Sequence, residues 1–211
     1  MALAAIAVLT GCSSRRSSEP IDLANGVQPT RMAATPAYVR RLCQRSQLLS
    51  AGAACPRQLP YVGQEPAWEA YICLRGRPGC LGLTWDDFEL IHSGGGSLEP
   101  PNWSHVAIFA GSLTRVAFPF GLPTSGTVVA LRDGVFTRSG AQPIFFGVTR
   151  WGAKTGTLAL APDYPRGGEQ GGHLIFLWKR DGTAYAIGLH AWEPLVQAAA
   201  TLRAIVRSTD S

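Results

Sequence analysis

Apolar and polar positions follow two rhythms along this chain. Over its middle the rhythm is short. "AWEAYICLR", "LTWDDFELIH", "SHVAIFAG", "TRVAFPF", "GTVVALR", "GVFTRS", "QPIFFGVTR" and "TGTLALAP" are brief runs of aromatic and branched residues divided by Gly, Pro or polar breaks. Runs of this kind predict β-strands. Two Asp-Gly pairs, at 133–134 and 181–182, predict hairpins, because both central residues of the favoured two-residue turn need positive φ. In "HLIFLWKRDGTAYAIGLH" such a turn sets Arg180 opposite Thr183. Trp178 then opposes Tyr185, Phe176 opposes Ile187 and Leu174 opposes Leu189, all on one face, which predicts a core surface. The reverse face carries Lys179, Leu177, Ile175, Ala184, Ala186 and Gly188, a smaller and more mixed surface.

The helical rhythm lies nearer the two ends. Thr35 and Pro36 suit an N-cap and a first helical position, with the helix running to about Leu49 and stopping near Gly52. Beyond Pro194, the residues Leu195, Ala199, Leu202 and Val206 recur at helical spacing, with Arg203 and Arg207 toward the negative end of the dipole. This stripe should cover the Trp178/Tyr185 face. The expected class is α+β: an antiparallel β-sheet packed by a C-terminal helix, with a disulfide-stapled helix near the N-terminus.

The first residues follow neither rhythm. Ala2 to Thr10 is an uncharged apolar run, about half the roughly 20 residues a bilayer-spanning helix needs, and it ends in small residues as a secretory signal does. Leu9-Thr10-Gly11-Cys12 resembles the lipobox of bacterial lipoproteins. That resemblance implies a signal peptide over 1–11, lipidation of Cys12 with palmitate-like chains, and a membrane-anchored product on the extracytoplasmic face. The lack of any charge before Arg15 departs from the usual signal. The polar, Ser- and Pro-containing stretch that follows reads as a flexible tether over 12–35, leaving 36–211 as a single globular domain.

Composition narrows the partners. The chain is 46% hydrophobic and 16% charged, so it is globular rather than disordered, and its 24 Gly and 15 Pro favour many turns. The net charge of +5 includes Arg15 and Arg16 beside the anchor and Arg40, Arg41 and Arg45 on the first helix. Basic residues near a membrane gain about 1 kcal/mol each from anionic headgroups. No nucleic-acid motif accompanies them, so a membrane is the expected partner and nucleic acid is not. Beyond Cys12, the four cysteines Cys43, Cys55, Cys73 and Cys80 permit three pairings. An oxidising compartment and short spacing favour 43–55 and 73–80. Neither gap is that of a zinc knuckle.

No catalytic signature stands out, and no cofactor is expected. Carrying the hairpin register outward sets His173 opposite His190, within reach of one metal ion, with Glu169 or Glu193 as a possible carboxylate donor. The plainer reading is two histidines at a sheet end, since no HxH or HxxxH spacing supports the site. "HSGGGSLEPPNWSH" lacks the Lys-Ser/Thr of a phosphate loop and any Gly-x-Ser-x-Gly elbow. Asp86, Asp87 and Glu89 split across two faces by alternation. Trp103, Trp151 and Trp192 are candidates for a ligand rim, although aromatics more often pack in a core. The Gly-rich loop ahead of His173 should border any site. The closing hairpin and "WEPLVQAAATLRAIVRS" resemble the ends of small extracytoplasmic bacterial domains of the PsbP/Mog1-like and DUF4367 kinds, which implies binding or assembly. The expected function is that of a lipid-anchored binding or assembly domain of the bacterial cell envelope, meeting an envelope protein or a small ligand. The alternative is a metal-assisted envelope hydrolase using His173 and His190.

Overall fold

The structure, a computed structural model, describes residues 22–49, 55–60, 67–72, 81–86, 105–122, 143–162, 171–190 and 194–209. Its elements are β1 (Met32–Ala34), α1 (Ala37–Leu49), β2 (Gln58–Pro60), β3 (Ala67–Ile72), β4 (Leu81–Asp86) and β5 (His105–Gly111). There follow α2 (Leu113–Ala117), a 3-10 turn (Phe118–Phe120), β6 (Ile144–Trp151), β7 (Lys154–Leu160), β8 (Leu174–Arg180), β9 (Thr183–His190) and α3 (Leu195–Ser208). Strands β3 to β9 form one seven-stranded antiparallel sheet in the order β3-β4-β5-β9-β8-β7-β6. Two meanders, β3-β4-β5 and β6-β7-β8-β9, are thus joined where β5 pairs with β9. The class is α+β, with the C-terminal helix against the sheet and the Cys43–Cys55 bridge on the N-terminal helix.

The β8–β9 hairpin turns as its sequence requires. Asp181 and Gly182 both take positive φ (48° and 78°), and Arg180 pairs with Thr183, Trp178 with Tyr185 and Leu174 with Leu189. Tyr185 stacks on Trp178, which neighbours Phe176, which in turn stacks on Trp151 at 4.5 Å. Helix α3 lies on this face. Its buried positions, Ala198 to Leu202 with Ile205 and Val206, span a wider arc than the expected stripe. The extra width has a cause in the N-terminal segment.

Residues 22–34, read from the sequence as part of a tether, pack against α3. Leu23 and Ala24 are buried, and β1 pairs with β2. The Thr30 amide donates to Thr201 Oγ1 (3.0 Å), Gln197 Nε2 to the Gln28 carbonyl (2.7 Å), and Arg203 Nη1 lies 3.5 Å from Asp22 Oδ2. The polar composition misled because these contacts run through backbone groups and a few small apolar side chains, with no periodic stripe. Thr35 is buried and its hydroxyl donates to the Pro56 carbonyl (2.7 Å), tying the start of α1 to the residues after Cys55. The Arg57 amide donates to the Ser208 carbonyl (2.9 Å), so the end of α3 docks on the same segment.

"TRVAFPF" does not form the expected strand. Leu113, Val116, Ala117 and Phe120 fall at helical spacing, and α2 with its 3-10 turn lays them on the reverse face of the sheet. There they meet Ala107, Phe109, Ala159, Ile175, Ala184 and Ala186. The mixed face is therefore a second core surface, and its small side chains let a short helix approach closely. The first Asp-Gly turn and the runs "GTVVALR" and "GVFTRS" lie outside the described residues. No helix among those described is long and apolar enough to cross a membrane.

Candidate functional site

With apolar side chains on both faces of the central strands, polar positions fall at the strand ends. At one end, on the α2 face, the registers place four chemistry-bearing positions in a row. Asp86 of β4 pairs with His105 of β5, and His105 pairs with His190 of β9. His173, the residue before β8, follows on the other side of His190, because Leu174 pairs with Leu189. Neighbouring strands lie about 4.8 Å apart, so the three histidine positions span roughly 10 Å of backbone.

His173 is held from three sides. It is buried, its ring centre is 5.8 Å from that of Phe120, and its Nδ1 lies 3.3 Å from the Gly171 carbonyl. A carbonyl only accepts, so Nδ1 is the donor in this contact. Gly188 makes the packing possible. A Cβ there would lie 2.5 Å from Phe120 Cε1 and 3.1 Å from His173 Cδ2. His190 is only half buried, and its ring centre is 5.2 Å from that of His173 at an interplanar angle of 38°.

The structure thus brings together the histidine pair read from the sequence. The backbone register sets Asp86 and His105 on the strands beside that pair, positions that sequence reasoning left apart. The missing signal was the pairing of β5 with β9, a contact between distant segments that no local pattern announces. Glu169 and Glu193 lie outside the described residues, as do Cys12, Cys73, Cys80, Trp103 and Trp192. Among the described side chains, no group of three His, Cys, Asp or Glu is placed to hold a metal ion.

Trp151 is corrected. It is buried and stacked on Phe176 beneath α3, so it is a core residue and not part of a ligand rim. Its neighbourhood is cationic for a structural reason: Lys154 Nζ donates to the Thr209 carbonyl (3.3 Å), and Arg207 belongs to the last turn of α3, where the helix dipole favours positive charge. The Cys43–Cys55 bridge is buried and joins α1 to the segment that carries β2. On α1 the arginines Arg40, Arg41 and Arg45 are all exposed, while Val39 and Cys43 face inward.

The chain matches no family model, and it has no match among curated proteins or solved structures.

Proposed function

We propose that this protein is a lipid-anchored domain of the extracytoplasmic face of a bacterial membrane, acting by binding a ligand or an envelope protein. The observation that supports the reading is the buried Cys43–Cys55 bridge in a chain that carries a lipobox-like Leu-Thr-Gly-Cys at residues 9–12. A buried bridge within the fold suits an oxidising compartment, the same compartment the signal-like run points to. Two further features support it. Asp22, which pairs with Arg203 of α3, is ten residues from Cys12, a span of at most ~35 Å along a fully extended chain, so an anchor at Cys12 would hold this body near the membrane. The exposed arginines of α1 then supply charge complementary to anionic headgroups, about 1 kcal/mol each.

The test is metabolic labelling of cells with an alkyne fatty acid. The expected result is label on the parent chain, loss of label in Cys12→Ser, and release of the variant from membranes. Equal labelling of parent and variant, or an unlabelled parent recovered from the cytosol, overturns the reading.

A further inference from the structure

We propose that the end of the sheet carrying the β6–β7 and β8–β9 turns is a docking surface for an anionic lipid membrane. The inference deepens the anchoring reading and rests on it for the choice of partner. Both turns lie at one end, since Gly156 of β7 pairs with Trp178 of β8. Arg150 and Lys154 flank the first turn, and Lys179 and Arg180 lead into the second. Helix α3 also ends here. Arg207 lies over Gly152, where a Cβ would stand 3.6 Å from its Cγ, and Lys154 Nζ donates to the Thr209 carbonyl (3.3 Å). Arg150, Lys179, Arg180 and Arg207 are all exposed. Among the described residues one acid, Asp181, belongs to this end, and it is paired with Arg180 at 3.3 Å.

The dipole of α3 accounts for Arg207, but it falls off within one turn and does not reach Lys179 or Arg180 on a separate hairpin. Five cations beside one acid instead match a surface of uniform negative charge. What points to lipid rather than to another polyanion is the position of Asp22. Its carboxylate lies 3.5 Å from Arg203 of α3. Arg203 and Arg207 are one turn apart, ~6 Å along the helix axis. Ten residues separate Asp22 from Cys12, and they include Arg15 and Arg16. A lipid on Cys12 therefore brings the cationic end within reach of the headgroups and raises their effective concentration there. Each cation near the surface then strengthens binding about fivefold.

The experiment uses the full chain with Cys12→Ser, so that no attached lipid contributes, and measures co-sedimentation with vesicles of phosphatidylglycerol and phosphatidylcholine in equal parts. The expected result is binding that weakens as salt is raised and is at least about tenfold weaker on phosphatidylcholine alone. Arg207→Gln should weaken it about fivefold, and Arg150→Gln, Lys179→Gln and Arg207→Gln together on the order of a hundredfold. Val196→Glu, at an exposed position in the first turn of α3, lowers the net charge by the same one unit. It lies ~16 Å along the axis from Arg207, beyond the screening length at physiological salt, and should leave binding unchanged. Circular dichroism confirms that each variant is folded, and the salt and lipid dependence of the Cys12→Ser chain decides without them. No binding to anionic vesicles, equal binding to both kinds, equal losses in Val196→Glu and Arg207→Gln, or capture by heparin without capture by vesicles overturns the proposal. Fatty-acid labelling of the parent is a separate result: where labelling succeeds and vesicle binding fails, the anchor stands and this surface does not.

Discussion

Gly188→Ala is the sharpest probe of how the sheet meets α2. An ideal Cβ at this position lies 2.5 Å from Phe120 Cε1, 2.9 Å from Phe120 Cζ and 3.1 Å from His173 Cδ2, all inside normal carbon–carbon contact. Phe120 has no free direction in which to retreat. It is fully buried, sits edge-on to Phe109 at 5.2 Å and 84°, and is backed by Val116 and Leu122. Overpacking of this kind costs about 1–3 kcal/mol. For a domain of this size each kcal/mol lowers the melting temperature by about 2–4 °C, so a fall of roughly 2–12 °C is expected. Thermal unfolding by circular dichroism, with urea midpoints as a second measure, reads the change. Phe120→Leu removes the clashing ring atoms, so Gly188→Ala should cost less in that background, with a coupling of about 0.5–3 kcal/mol. A variant that melts within a degree of the parent, or a strictly additive double variant, would show that the turn does not rest on Gly188.

Four further outcomes follow from other contacts. Replacing both Cys43 and Cys55 by Ala should lower unfolding stability by about 3 kcal/mol, the chain-entropy value for a closed loop with a sequence separation of 12. A non-reducing peptide map of the parent should also show Cys73 linked to Cys80, because the β3–β4 register reaches Ile72 paired with Leu81, the residues beside them. Gly182→Val should cost about 1–2 kcal/mol in urea unfolding, since φ at that residue is 78°, whereas Asp181→Asn should be nearly neutral. Arg203→Ala removes the Asp22 ion pair and a hydrogen bond to the Val27 carbonyl at 3.4 Å. It should cost about 1 kcal/mol and raise amide hydrogen exchange over 22–30, measured by mass spectrometry.

What the sequence made legible was local. The β8–β9 hairpin, its register and its core face follow from one Asp-Gly turn and strict alternation, and α3 follows from its spacing after Pro194. The 43–55 bridge followed from short separation. What was not legible depended on distant partners. Leu113 to Phe120 is helical because a face rich in Ala, with Gly188 beside Phe120, gives a short helix room to lie; the residues alone, aromatic and branched, read equally well as strand. Residues 22–34 are bound through backbone groups to Thr201, Gln197 and Arg203, and backbone hydrogen bonds leave no hydrophobic period. Trp151 resembled a candidate rim residue until Phe176, from another hairpin, was found stacked beneath it.

The same distinction explains where chemistry has settled in this fold. Apolar side chains occupy both faces of the central strands β5, β9 and β8, so a polar residue on those strands is tolerated chiefly at their ends. His105 opens β5 and His190 closes β9, positions at which the ladder begins and stops. His173 departs from that pattern, being buried beneath an aromatic ring with its tautomer set by a backbone carbonyl. A buried imidazole loses hydration without necessarily gaining stability, and an apolar residue of similar volume often serves a core as well or better. His173→Leu therefore tests whether the imidazole stabilises the core: the variant should keep or gain thermal stability by circular dichroism, and a loss beyond about 1.5 kcal/mol would show that the Gly171 contact and the Phe120 packing outweigh the cost of burying the ring.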